Sequence, residues 1–171
     1  MNIITKFTVA TEQGIEALLT LTKTLAVQKF ARLLKPVELE HYIIENFNAQ
    51  TLVSEINSMS NQWLVVYVDD QPIGYARITS KGKKPIAVEG KRAIRVADFG
   101  VCQHQAQQQI MTSLIDKCLT VCSTYEAIWI NEPVGSSFTG LFEQKGFIRQ
   151  PEMSRFDELP LESALYLKIN L

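Results

Sequence analysis

Side chains that can do chemistry concentrate at residues 102–111, between an apolar run and a helical pattern. Cys102 and His104 stand close together there, and five glutamines fall between Gln103 and Gln109. At a strand-to-helix junction, the first N–H groups of the helix lack partners and can bind an anion such as phosphate. Glutamine amides are hydrogen-bond donors as well. The junction therefore predicts an anion site or, through Cys102, a thiol reaction.

The thiol reaction is the weaker of these two hypotheses. A thiol near a helix N-terminus can become a nucleophile, with His104 as its base. Residues so close in one loop rarely form a working pair without a third group that orients the base. Cys118 and Cys122 share one helix face, and only two histidines are present. We therefore predict that these cysteines are core residues and that the chain has no metal site.

Composition narrows the class of protein. The chain has 171 residues, 46% of them hydrophobic and 20% charged, with a net charge of -1. These values predict a single domain over residues 1–171 and give no basic field for nucleic acid. No signal peptide and no membrane span is expected from the sequence. The odd number of cysteines favours reduced thiols in the cytoplasm.

Hydrophobic periodicity predicts the order β, three α, three β, α, β, α, two β. This order is typical of an α/β (α+β) domain with a mixed, mostly antiparallel sheet flanked by helices. The final hairpin leaves an edge strand through which two copies could pair as a homodimer. The predicted elements, in chain order, are strand 2–9, helix 11–33, helices starting at Pro36 and Asn48, strands 63–68, 72–79 and 93–101, the helix after the glutamines, strand 126–130, helix 136–145, and strands 148–156 and 164–169.

Four segments in this order resemble the GCN5-related N-acetyltransferase family over essentially the whole chain. They are DDQPIGYARI (Asp69–Ile78), VADFGV (Val96–Val101), the helix within Gln103–Cys122, and LFEQKGF (Leu141–Phe147). The stretch KPVELEHYIIENF, Lys35–Phe47, is similar to the polyamine acetyltransferase branch. The resemblance implies the acyl-CoA N-acyltransferase fold and transfer of an acetyl group from acetyl-CoA to a primary amine of a small molecule or protein.

The resemblance also implies roles for individual residues. Asp98 is the best candidate for the general base, provided that a β-bulge turns its side chain into the site. Phe142 occupies the position of the family's tyrosine, which protonates the leaving thiolate. The expected acetyl-CoA contacts are Phe99, Val101, Cys102, Gln107, Gln108, Gln109, Ile110 and Met111.

Three positions of the family's pyrophosphate loop, which has the pattern Q/R-x-x-G-x-G/A, fall on Ala106, Gln109 and Met111. Side chains at the last two positions are expected to crowd phosphate oxygens that glycine would admit. Phenylalanine at position 142 cannot donate a proton. The alternative reading is therefore a degenerate module of this fold that no longer binds acetyl-CoA normally and acts by binding another ligand or a partner.

Overall fold

The computed structural model describes residues 1–170, which form one seven-stranded sheet with helices on both faces. The strand order across the sheet is β1-β2-β3-β4-β5-β7-β6. The mixed, mostly antiparallel sheet predicted from the sequence is confirmed. The strands are β1 (Ile3–Phe7), β2 (Asn61–Val68), β3 (Gln71–Thr79), β4 (Ala93–Val101), β5 (Ala127–Glu132), β6 (Ile148–Arg155) and β7 (Glu162–Ile169).

Five α-helices connect or cover these strands, and their N-termini follow local sequence signals. The Thr11 side chain accepts a hydrogen bond from the Gly14 amide at 3.1 Å, and Asn48 accepts one from the Thr51 amide at 2.8 Å. Such N-caps stabilise a helix by about 1 kcal/mol each. The helices are α1 (Glu12–Phe30), α2 (Pro36–Asn46), α3 (Ala49–Ile56), α4 (Gln108–Val121) and α5 (Thr139–Gln144). Within the described part of the chain, none of these helices could span a bilayer.

Turns lie where the sequence predicts them. Asp69 and Asp70 connect β2 to β3 with φ angles of 47° and 67°. Aspartate tolerates this left-handed region better than most residues, and two such residues favour a tight hairpin. Gly146 follows the last turn of α5 with a φ of 92°, a left-handed conformation that favours glycine at a helix end. Element boundaries differ from the sequence-based ones by a few residues, as at the end of α1, which is Phe30, and at the start of α5, which is Thr139.

The sheet has a core on each face. On one face, α4 and α5 cover a cluster that includes Phe99, Leu114, Ile130 and Phe142. On the other face, α1, α2 and α3 cover a cluster around Leu25, Trp63 and Tyr75. Cys118 and Cys122 are fully buried in the first cluster, as predicted for small core residues.

Candidate active site

A gap between two neighbouring strands lies at the centre of the sheet. β4 and β5 run parallel, and their pairing begins at Ala93 with Ala127 and ends at Val96 with Ile130. Beyond that pair, residues 98–101 of β4 remain paired with β3, whereas the end of β5 remains paired with β7. Within residues 1–170, this edge of β4 therefore has no strand partner and can offer its backbone groups to a ligand.

A β-bulge lies at the start of the gap. Arg77 pairs with Asp98, but the next pair along the ladder is Ile78 with Val96, so Ala97 is an extra residue. Because a bulge shifts the alternation of side chains, Asp98 lies on the face covered by α1 and α2. This is the bulge that the candidate role of Asp98 requires.

Asp98 is held by an arginine in this position. Arg77 Nε donates a hydrogen bond to Asp98 Oδ2 at 2.9 Å, and Glu158 Oε1 lies 3.6 Å from another nitrogen of the same guanidinium. Burial acts to lower the pKa of Arg77, but the attraction and hydrogen bond of Asp98, followed by the attraction of Glu158, raise it above its usual range. Asp98 is thus an ion-paired aspartate, and its role as a base stays a prediction.

The side chain of Gln28, on α1, occupies the open edge of β4. Its Nε2 donates to the Val101 carbonyl at 3.3 Å, and its Oε1 accepts from the Gln103 amide at 2.8 Å. Cys102, between them, donates instead to the Ile73 carbonyl on β3. Because successive backbone groups of a strand point to opposite sides, the groups that Gln28 binds point away from β3 and into the gap. One primary amide thus satisfies two neighbouring groups of the edge.

Lys29, the next residue of α1, reaches across the gap to β5. Its Nζ lies 2.8 Å from Glu132 Oε1 and 5.4 Å from the centroid of the Phe138 ring, which in turn contacts Phe99 of β4. The Glu132 side chain is only 2% exposed and that of Lys29 14%. Glu132 lies two residues beyond Ile130, the last β5 residue paired with β4. A buried ion pair therefore lies where the strands separate.

A cavity of about 10 Å³ lies on the α1 side of this pair. Lys29 and Asp98 line it together with Tyr42 from α2 and Tyr75 from β3. Burial, followed by the negative charge of Asp98, raises the pKa of both tyrosines well above the ordinary value. The two hydroxyls therefore stay protonated and can donate hydrogen bonds at neutral pH.

A larger groove of about 730 Å³ opens beside Asn131, the residue before Glu132. It lies between the segment 83–87 and strands β6 and β7. Basic and acidic side chains, among them Lys83, Lys84 and Glu152, share its wall. The groove can therefore accept a polar molecule of either charge and leads to the end of β5.

The glutamine tract forms a short 3₁₀ turn, Gln103–Gln105, followed by the start of α4. Within residues 1–170, no side chain caps the helix at Gln107. The Ile110 and Met111 amides bond to the Gln107 carbonyl, which leaves the N–H groups of Gln108 and Gln109 open. Gln107, Gln108 and Gln109 are exposed there. Ile110 is buried, and Met111 packs partly buried against the core, so the Met111 side chain is directed into the core. The crowding expected from Met111 is therefore smaller than the sequence suggested.

The remaining predicted site residues divide between the core and the gap. Phe99 and Val101 are buried, with Phe99 facing Phe138 across the gap. Phe142 is fully buried, and its ring packs 5.4 Å from Phe99 and 6.1 Å from Tyr166, measured between centroids. Phe142 is thus a core aromatic residue in this structure.

Cys102 is half-buried at the end of β4, and burial raises the pKa of its thiol. A raised pKa reduces the fraction of thiolate at neutral pH, which disfavours a nucleophilic role. His104 lies exposed in the 3₁₀ turn. The geometry therefore favours an anion site at this junction over a thiol reaction.

Sequence reasoning did not find Gln28, Lys29 or Glu132. Lys29 and Glu132 are 103 positions apart, and neither lies in a recognisable motif. One signal was present: Glu132 ends the strand AIWINE, whose first four residues are apolar, and a carboxylate at the end of a buried strand is unusual.

Comparison with solved structures shows close similarity of fold. A PaiA N-acetyltransferase from Thermoplasma acidophilum, solved in complex with coenzyme A, is 12% identical, with 99% of each chain covered and a TM-score of 0.78. A GCN5-related N-acetyltransferase from Rhodopseudomonas palustris is 10% identical over 99% of this chain and 96% of its own, with a TM-score of 0.70. A GNAT-family acetyltransferase from Staphylococcus aureus is 13% identical over 98% of this chain and 99% of its own, with a TM-score of 0.68.

No family model matches the sequence, and no curated protein matches it significantly. At identities of 10–13%, the likeness lies in the three-dimensional arrangement of the chain and not in its residues. The resemblance inferred from four short segments is therefore confirmed at the level of architecture: the chain has the fold of the GCN5-related N-acetyltransferases.

Proposed function

We propose that this protein transfers an acetyl group from acetyl-CoA to a primary amine of a small molecule or a protein. The observation that carries the proposal is the amide of Gln28 on the open edge of β4, with hydrogen bonds of 3.3 and 2.8 Å. It demonstrates that this edge can bind an amide through one carbonyl and one N–H group. The pantetheine arm of coenzyme A carries secondary amides, whose N–H and C=O groups can pair with backbone groups of the same types as those that Gln28 binds.

Two further features fit acetyl-CoA. The open N–H groups at the start of α4 lie directly after β4, where a pyrophosphate would gain from them and from the helix dipole. One of the similar structures holds coenzyme A in a protein of the same fold. Acetyl-CoA supplies the reactive thioester, and the chain supplies the strand edge, the anion site and the groups around the gap.

The acceptor amine is proposed to enter from the groove beside Asn131, the residue before Glu132. Alignment of the two reactants accounts for much of the rate in direct transfer to an amine. Asp98 is the base predicted from the sequence. Its bond to Arg77 at 2.9 Å would have to loosen before it could take a proton.

The test is calorimetric titration of the folded protein with acetyl-CoA and with CoA, followed by an assay of thiol release with a panel of amines. The panel should include polyamines, amino acids and peptide N-termini. Micromolar binding and amine-dependent thiol release support the proposal. Absence of heat at millimolar ligand, with an intact circular dichroism spectrum, refutes it and favours the degenerate module.

A further inference from the structure

The carboxylate of Glu132 is only half satisfied. Its Oε1 bonds to Lys29 at 2.8 Å, while its Oε2 is buried and has no hydrogen-bond partner among residues 1–170. A buried carboxylate oxygen without a hydrogen-bond partner has lost its interaction with water and destabilises the folded protein. An orphaned oxygen of this kind calls for a donor from outside the chain, such as a ligand N–H or a water molecule.

The position of the Lys29–Glu132 pair indicates which outside group could donate a hydrogen bond to Glu132 Oε2. Lys29 and Glu132 lie between Phe99 of β4 and the end of β5, beyond the last pair that joins the two strands. A thioester bound along the open edge of β4 would bring its reacting atoms into this gap. The other titratable groups that face Lys29 are Tyr42, Tyr75 and Asp98, from α2, β3 and β4.

We propose that Glu132 and Lys29 together form the acid–base pair for acetyl transfer, with Glu132 as proton acceptor and Lys29 as proton donor. The proposal rests on the proposed acetyltransferase function. In this assignment Glu132 is the base and Lys29 is the acid. Asp98 fits the role of base poorly because it is bound to Arg77, and the buried Phe142 cannot be the acid because it has no hydroxyl group.

Glu132 and Lys29 together take up and release one proton in each reaction. As the nitrogen of a neutral amine bonds to the acetyl carbon, Glu132 Oε2 takes the proton that this nitrogen loses. As the carbon–sulfur bond breaks and sulfur keeps the electron pair, Lys29 Nζ donates a proton to sulfur. Rotation of the Glu132 carboxyl group then presents its proton to the neutral Lys29 amine, which lies 2.8 Å from Oε1. Both groups return to their starting charge.

Two variants test the pair. Glu132→Gln removes the proton acceptor and keeps the shape of the side chain. Lys29→Arg keeps the positive charge but replaces an ammonium with a guanidinium, which does not give up a proton in practice. General acid–base groups contribute about 10²–10⁴-fold to rate. We therefore expect kcat to fall roughly 100-fold or more in E132Q and at least about tenfold in K29R.

A readout independent of turnover separates this role from a structural one. CoA affinity, measured by calorimetry, should stay within about threefold of wild type, because the pair binds no phosphate or pantetheine group. In addition, the rising limb of the pH profile of kcat should disappear in E132Q. The matched control is the pair of Lys145, which follows the last residue of α5, and Asp116 on α4, 2.6 Å apart, where K145R and D116N should change neither quantity.

If E132Q does not fold, the double variant Lys29→Met/Glu132→Leu replaces the buried pair by apolar groups, which buried pairs often tolerate. A folded double variant that binds CoA but does not transfer acetyl groups supports the proposal. The proposal is overturned if E132Q or the double variant has the kcat and the pH profile of the wild type. If Asp98→Asn loses activity in that case, Asp98 is the base. Wild-type protein without CoA binding would instead refute the proposed function.

Discussion

Replacement of Gln28 by alanine should tighten the binding of CoA while it lowers the stability of the free protein. The Gln28 amide holds two backbone groups that pantetheine would need, the Val101 carbonyl at the end of β4 at 3.3 Å and the Gln103 N–H just beyond it at 2.8 Å. A ligand amide must first displace this side chain. In the alanine variant, the ligand amide displaces only water.

The expected changes in stability and in CoA affinity follow from those two hydrogen bonds. Each contributes about 0.5–1.5 kcal/mol net to the folded protein, the 3.3 Å bond less than the other. Water replaces part of this contribution in the variant, so about 1 kcal/mol is the expected loss in the free energy of unfolding. The same amount is regained on ligand binding, which lowers Kd by roughly fivefold to tenfold.

The assay pairs calorimetric titration with CoA and chemical denaturation of the unliganded protein. Gln28→Met separates the hydrogen bonds from the bulk of the side chain, since methionine has a similar length and no amide. Gln13→Ala, on the exposed first turn of α1, is the matched control and should change neither measurement. A Kd for Q28A that is equal to or weaker than wild type would refute the reasoning, because Gln28 would then not compete with the ligand.

Three further predictions concern the core and the approach of α1. Phe142→Ala should lower the free energy of unfolding by about 3–5 kcal/mol, measured in urea, because the side chain is fully buried against other rings; a loss below 1 kcal/mol would contradict its place in the core. Gly100→Ala places a Cβ 3.2 Å from Leu25 of α1 and should lower the free energy of unfolding by about 1–3 kcal/mol in the same assay. An unchanged free energy of unfolding would mean that α1 can shift away from β4 without cost. Burial raises the pKa of Cys122 from 9.0 to about 12, so the folded state keeps a proton that the unfolded state loses above pH 9. Cys122 should therefore leave stability unchanged below pH 9 and lower it by up to about 1.4 kcal/mol per pH unit above that pH, so the free energy of unfolding measured at each pH should fall more steeply than in Cys122→Ala; equal slopes would refute this.

Local signals were sufficient to predict the elements of the fold. Thr11, Asn48 and Gly146 act within a few residues of their own position, so their capping roles can be read without the tertiary structure. The turn at Asp69 and Asp70 is local in the same sense. The order of these elements was then enough to suggest the architecture.

The site depends on contacts that no local pattern encodes. The bulge at Ala97 changes the face that Asp98 occupies, and it arises from the pairing of β4 with β3. Likewise Lys29 meets Glu132 only because α1 packs over β3 and β4. Met111 looked like an obstacle in the sequence, but the turn of α4 directs it to the core.

The short pairing of β4 with β5 also has a mechanical consequence. Four residue pairs form the seam between a leaf made of β1 to β4 and a leaf made of β5, β7 and β6. α1 and α4 pack on the first leaf, and α5 packs on β6 in the second. A molecule bound in the gap would contact both leaves and stabilise their association. Slow amide hydrogen exchange at the seam should therefore slow further when the gap is filled, and by more than exchange within either leaf.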